Sequence, residues 1–224
     1  MRAIVIAFGG SVLLSDESDK FFFKKLSDIL INSSKNYKIF IVVGGGKTAR
    51  SYIKIGRDLD LDEKTLDEIG ISITRLNANF LSYIIKDSNS VIPNFTDDAK
   101  DMDEPIVIMG GTTPGHSTDM VAAELAEKTK AEMFIIATNV DGVYDKDPNS
   151  FSDAVLFEEI TIDQLIKDQG TEWNSAGKNT VIDGPALKII KRSKIQTVVL
   201  NGKKLDQLEK AIMKKHFIGT TITF

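Results

Sequence analysis

The chain has no cysteine and, among 224 residues, only two histidines and one tryptophan. Without cysteine there are no disulfides and no thiolate metal sites. Two histidines leave a His-rich metal site unexpected. No apolar run approaches the roughly 20 residues that span a bilayer. The first residues form an apolar run without a cleavable signal pattern, so a cytoplasmic protein is expected. A basic surplus is also missing. The net charge is −4 and the pI about 5.3, which argues against nucleic acid or an acidic membrane surface as the main partner.

What is present is ordinary in bulk and specific in detail. Hydrophobic residues make up 42% and charged residues 27%. The length suits one large domain or two small lobes sharing a sheet. The stretch Met109-Gly-Gly-Thr-Thr-Pro-Gly-His-Ser-Thr-Asp119 organises the rest. A short apolar run, 105–109, precedes it, and Val121, Ala122, Leu125 and Ala126 follow at helical spacing. Strand, glycine and hydroxyl loop, helix: this order puts backbone N–H groups and the hydroxyls of Thr112, Thr113, Ser117 and Thr118 at a helix N-terminus. Such an end favours an anion, most often phosphate. The plainer alternative is a polar turn in which Ser117 or Thr118 caps the helix.

Two earlier apolar runs repeat the pattern. Residues 3–8 read as a central strand buried on both faces, and they end in Gly9-Gly10-Ser11. Residues 39–43 read as a second strand, ending in Gly44-Gly45-Gly46 before Lys47-Thr-Ala-Arg50 opens a helix. Gly9-Gly10 fits a tight turn as well as a ligand loop. Three glycines before a cationic helix start fit a phosphate loop better, because Lys47 and Arg50 oppose the helix dipole unless an anion is near. Two familiar nucleotide motifs do not match. A P-loop requires glycine where Ile41 stands, and a dinucleotide fingerprint requires one at Ala49, where alanine is sometimes accepted.

Repeated strand–loop–helix units predict a parallel sheet with right-handed crossovers. Asp19 caps a helix carrying Phe22, Phe23, Leu26, Ile29 and Leu30. Residues 62–86 read as a long helix with an apolar stripe of Leu66, Ile69, Ile73, Leu76, Phe80 and Ile84. Gly70 within it suggests close approach by a ligand or another backbone. Asp67, on the same side, reads on its own as a solvated carboxylate. Residues 91–104, with Asp97, Asp98, Asp101, Asp103 and Glu104, read as a solvated surface loop. Residues 133–137 form another buried strand. It leads into Thr138-Asn-Val-Asp-Gly-Val-Tyr-Asp-Lys-Asp-Pro148, a polar cluster where open α/β sheets place ligands. Asp141-Gly142 by itself would suit a hairpin turn. Thr161 and Gln164 form a capping box, residues 170–180 are flexible in composition and hold Trp173, and Asp183-Gly184-Pro185 starts a helix. A strand at 197–200, a turn at Asn201-Gly202, a basic helix with Leu205, Leu208, Ile212 and Met213, and an edge strand at 220–224 complete the chain.

Four strands ending in polar loops can converge on one crevice. Glycine loops suit phosphates, and residues 138–147 suit a nucleoside with a magnesium-bound phosphate chain. Phosphoryl transfer needs positioning, positive charge and Mg²⁺, and neither a thiol nor a histidine dyad.

Five segments occur in order: Ala7-Phe-Gly-Gly-Ser11, Val42-Val-Gly-Gly-Gly46, Asp67-x-x-Gly70, the loop ending in Asp119, and Thr138-Asn-Val-Asp-Gly-Val-Tyr144. Together they resemble the amino acid kinase family over essentially the whole chain, most nearly its archaeal-type uridylate kinases. The resemblance implies a three-layer αβα sandwich around a mainly parallel sheet. It implies a single kinase domain over 1–224, with an N-terminal lobe (about 1–120) on the acceptor side and a C-terminal lobe (about 121–224) on the ATP side. The implied reaction converts UMP and ATP, with Mg²⁺, to UDP and ADP in pyrimidine nucleotide synthesis. The implied assembly is a homohexamer.

Carried over by position, the resemblance gives Gly10, Ser11, Gly46, Arg50, Thr138, Asn139, Tyr144 and Asp147 to ATP. It gives Gly45, Asp67, Thr112, Thr113, Pro114, Gly115, His116, Ser117 and Thr118 to UMP. Asp141 would organise the cations around the transferring phosphoryl, and no residue is assigned as a metal ligand. Many relatives carry lysine where this chain has Ala7. Another cation is expected to substitute, Lys47 first and Arg50 second. Two alternatives stay open: a kinase of the same fold acting on a carboxylate, carbamate or isopentenyl phosphate, and a nucleotide-binding relative without catalysis.

Overall fold

The computed structural model describes residues 2–15, 19–170 and 181–224. The segment 171–180, with Trp173, lies outside the described residues. Strand β1 (Arg2–Phe8) leads into a single helical turn, α1 (Gly10–Leu13). Helix α2 (Lys20–Ser34) follows, with Asp19 accepting from the Phe21 and Phe22 N–H groups as its cap. Next come β2 (Tyr37–Val43), α3 (Gly46–Asp58), α4 (Glu63–Ile84), α5 (Thr96–Asp101) and β3 (Ile106–Met109). Then follow α6 (Thr118–Thr129), β4 (Met133–Thr138), β5 (Glu159–Thr161), α7 (Ile162–Gln169) and α8 (Gly184–Ser193). The chain ends with β6 (Thr197–Asn201), α9 (Leu205–Ile212) and β7 (Thr220–Thr223).

These strands form one sheet in the order β3-β2-β1-β4-β6-β7-β5. All pairings are parallel except β6 with β7. The run of apolar residues in β1 has its predicted cause. Ala3, Val5 and Ala7 pack on one face with α6 and α8, while Ile4, Ile6 and Phe8 pack on the other with α2, α4 and α9. The result is an αβα sandwich around a mainly parallel sheet. After β1 the chain moves outward through β2 and β3, then returns to place β4 on the other flank of β1. The order therefore reverses between β1 and β4, and ligands of open α/β sheets bind at such a point.

Four local expectations are corrected. The last strand, β7, is not at the sheet edge, because β5 pairs outside it. In α4 the predicted stripe turns outward at its C-terminal half. Leu76 is 65% exposed and Phe80 42%, while Thr74, Asn77, Ala78 and Leu81 are buried. Residues 91–104 are not a plain solvated loop. They contain α5, bury Thr96 and Ala99, and hold Asp97 against Lys128 at 2.8 Å. Thr161 caps α7, but Gln164 does not reach back to complete a capping box; its amide donates to Asp168.

Candidate active site

The glycine loops after β1 and β2 are each bonded to the end of the neighbouring strand. The Gly9 N–H donates to Ala137 O at 3.0 Å, and the Gly44 N–H donates to Phe8 O at 2.9 Å. Gly10 and Gly46 touch. A Cβ on Gly10 would lie 2.3 Å from Gly44 O and 2.4 Å from Gly46 N, and Gly46 has a left-handed φ of +66°. Only glycine fits this contact. Asn77 supports it from α4, donating from Nδ2 to Gly44 O at 2.9 Å.

Above these glycines opens a cavity of about 980 Å³. From the first half of the chain it is lined by Gly10, Ser11, Gly45, Gly46 and Arg50. From the second half Thr138, Asn139, Tyr144 and Asp147 line it, with Phe157, Ile160 and Leu165 as an apolar wall. Every residue that the resemblance gives to ATP is thus in one place. Arg50 reaches the cavity, whereas Lys47, one turn earlier on α3, is exposed and does not line it.

The second group of predicted residues gathers beside it. Asp67 Oδ2 accepts from the Gly115 N–H at 2.7 Å, which ties α4 to the loop 112–118. Arg75 donates to the carbonyls of Gly111, Thr112 and Asn94, and the Gly111 N–H donates to Thr74 Oγ1 at 2.7 Å. Thr113 Oγ1 lies 3.5 Å from His116 Nδ1. Of this loop, Thr118 lines the cavity, and Thr112, Thr113, Pro114, Gly115, His116 and Ser117 do not. Ser117 caps α6 by accepting from the Met120 N–H, and its hydroxyl donates to Asp183 Oδ2. The capping alternative therefore describes Ser117 correctly.

Asp141 is held from behind. Lys204 Nζ lies 2.8 Å from its Oδ1, and Asn201 Nδ2 donates to the same oxygen at 3.1 Å. Asp141 itself does not line the cavity. Gly70, expected to mark a close approach, has the Ile53 side chain 3.5 Å from where a Cβ would stand, and its carbonyl lies 3.8 Å from where a Cβ on Gly45 would be, so α4 does approach the backbone of the second glycine loop here.

Sequence reasoning passed over Asp119. It closes the organising motif and reads as an ordinary acid in a helix first turn, yet it lines the cavity. Burial first, and the Asp183 carboxylate second, push its carboxyl up to about 7. Asp183 is itself raised by burial, against the hydrogen bonds from Ser117 and the Ala186 N–H. Its sequence signal was only that of a helix cap. Thr74, Arg75 and Asn77 were missed because the apolar period drew attention to other residues of α4.

A model of the amino acid kinase family matches residues 2–201. The chain belongs to the amino acid kinase family. Among its relatives in that family is a uridylate kinase of Methanobrevibacter smithii, 42% identical over 222 residues, with 98% of each chain covered. The solved uridylate kinase of Archaeoglobus fulgidus superposes with a TM-score of 0.87 at 42% identity, covering 99% of this chain and 100% of that one. The UMP kinase of Ureaplasma parvum superposes at 0.81 with 25% identity, covering 100% and 99%. The glycine-floored cavity is thus the cavity of an amino acid kinase-family protein.

Proposed function

We propose that this protein is a nucleoside monophosphate kinase that transfers the γ-phosphoryl group of ATP to UMP, giving UDP and ADP. The observation that carries the reading is the contact of Gly10 with Gly44 and Gly46 beneath one cavity, whose lining brings the residues assigned to ATP together with Gly45 and Thr118 of the UMP set. The full-length similarity to proteins named uridylate kinase supports it. The 138–147 loop, Gly10, Ser11, Gly46 and Arg50 hold ATP. Gly45, Asp67 and the 112–118 loop hold UMP, with Asp67 and Gly115 already joined. The N-terminal lobe then carries the acceptor and the C-terminal lobe most of ATP, across one continuous sheet.

A UMP phosphate oxygen attacks the γ-phosphorus in line. No general base is needed, because the phosphate is ionised near neutral pH. The gain comes from positioning and from donors fixed before the reaction. Arg50, in the cavity, is placed to supply the positive charge that Ala7 does not. Among the described residues no cluster of three or more histidines and carboxylates stands ready for a metal ion. Mg²⁺ would enter with ATP, and Asp119, which lines the cavity and whose carboxyl is pushed up by burial, is the carboxylate that would face it. When bound, Mg²⁺ neutralises phosphate charge.

We further assign a homohexameric assembly. Tyr52 and Ile55 on α3 and Leu59 just after it are exposed, as are Leu76, Phe80 and Tyr83 on α4, and both sets recur at helical spacing. Such stripes fit burial against another copy. No helix among the described residues is long and apolar enough to cross a membrane. We place the reaction in the cytoplasm, where both nucleotides are held, as a step of pyrimidine nucleotide synthesis.

A coupled assay of ADP release with UMP, CMP and AMP tests the reading. Marked preference for UMP is expected; equal rates with all three, or ADP release that needs no acceptor, would overturn it.

A further inference from the structure

We propose that Lys204 is a positioning residue of the ATP site: by holding Asp141 from outside the cavity, it sets the loop that grips ATP. The inference rests on reading residues 138–147 as the ATP side, and it adds a residue from a different element.

Thr138 and Asn201 are register partners at the C-terminal ends of β4 and β6. The pairing runs one residue further, since the Gly202 N–H donates to Thr138 O at 2.8 Å. The Lys204 N–H then donates to Asn201 O at 3.0 Å, which fixes where the lysine stands. From there Nζ reaches both Asp141 oxygens, at 2.8 and 3.0 Å, while Asn201 Nδ2 takes Oδ1 at 3.1 Å. Two residues on, the Val143 N–H donates to Thr220 Oγ1 at 2.8 Å. The loop is therefore pinned twice, at Asp141 toward β6 and α9 and at Val143 toward β7. Asn139, Val140, Val143 and Tyr144, which flank the first pin, line the cavity. The pair also reaches the site electrostatically. Burial raises the Tyr144 hydroxyl's pKa, the Asp141 charge adds to this, and Lys204 opposes it.

The Lys204 side chain is 46% exposed and that of Asp141 25%. A pair so placed contributes little to overall stability. Its loss should leave the fold standing and appear in how the loop meets its nucleotide.

The experiment compares wild type with Lys204→Met and Lys204→Arg. It measures ATP Kd by calorimetry, KM for ATP and for UMP, and the thermal midpoint without nucleotide. We expect Lys204→Met to weaken ATP roughly three- to fivefold in both Kd and KM, the span of a partly exposed pair. The UMP KM and thermal midpoint should stay unchanged, and Lys204→Arg should recover most of the loss. Unchanged ATP binding in Lys204→Met would overturn the inference, as would a parallel rise in both KM values with a lowered thermal midpoint. A wild type that binds ATP but does not phosphorylate UMP would sink the proposed reaction alone, because the calorimetric comparison still decides the role of Lys204. A wild type that does not bind ATP overturns both.

Discussion

Asp67 and Gly115 are 48 residues apart in sequence, yet the carboxylate accepts the glycine N–H at 2.7 Å. This bond joins the long helix α4 to the loop that caps α6, and it sets Asp67 at the rim where UMP is proposed to lie. Asp67→Ala should raise the UMP KM tenfold or more and leave the ATP KM unchanged. The bond is exposed to solvent, where even ion pairs contribute only about 0–1 kcal/mol, so the thermal midpoint should move little. Steady-state kinetics with each substrate varied in turn checks this.

Gly10 and Gly9 are neighbours with opposite tolerances. A Cβ on Gly10 would meet backbone atoms at 2.3 and 2.4 Å, whereas one on Gly9 would stand 3.4 Å from Ala137 O. Backbone on two neighbouring strand ends must shift to admit the first. Gly10→Ala should lose about 3 kcal/mol or more of stability, at the upper end of overpacking, and lose ATP binding with it. Gly9→Ala should lose much less. Chemical denaturation and ATP titration of the two variants make the comparison.

Asp119 predicts a pH dependence of known sign. Its folded carboxyl titrates near 7 against an ordinary 3.8. Between those values the folded state holds a proton that the unfolded state has released, so the group's contribution to stability falls as pH rises from 3.8 to about 7. Asp119→Asn lacks that carboxylate. It should melt above wild type at pH 8, with the gap narrowing toward pH 4 in nucleotide-free protein. Thermal melts over this range give the answer, and a gap that widened at low pH would refute it.

Arg50 and Lys47 separate cleanly by position. The first lines the cavity and the second does not. Arg50→Met should lower kcat about 100-fold, the scale seen when one donor to a developing charge is removed. Lys47→Met should cost severalfold at most. The reverse order in kcat would return the role to Lys47.

Much of the sandwich was legible because fully buried strands write themselves as unbroken apolar runs. The strands β1, β2 and β4 were placed this way, and Asp19, Thr161 and Asp183 announced the helices that they cap. The short β5 is not visible in the sequence, for three residues with one buried side chain carry no pattern, so β7 reads as an edge strand that it is not. The second half of α4 misled for a different reason. Leu76 and Phe80 keep the apolar period while facing outward, and Thr74 and Asn77 face inward to hold backbone. At the site, glycines and hydroxyls were readable because few other jobs need them in that order. Asp119 and Lys204 were not, since a carboxylate in a helix first turn and a lysine after a turn are ordinary until tertiary contacts reveal their neighbours.

The hydrogen bonds from Gly9 to Ala137 and from Gly44 to Phe8 have a dynamic consequence. They stitch three adjacent strand ends into one continuous floor under the cavity. Closing around substrates is then expected from the walls, the segments near 112–118 and 138–148, folding inward over a base that stays still. Amide exchange should then be slowest at the bottom of the cleft and quicken toward its lips, and nucleotides should quiet the lips alone.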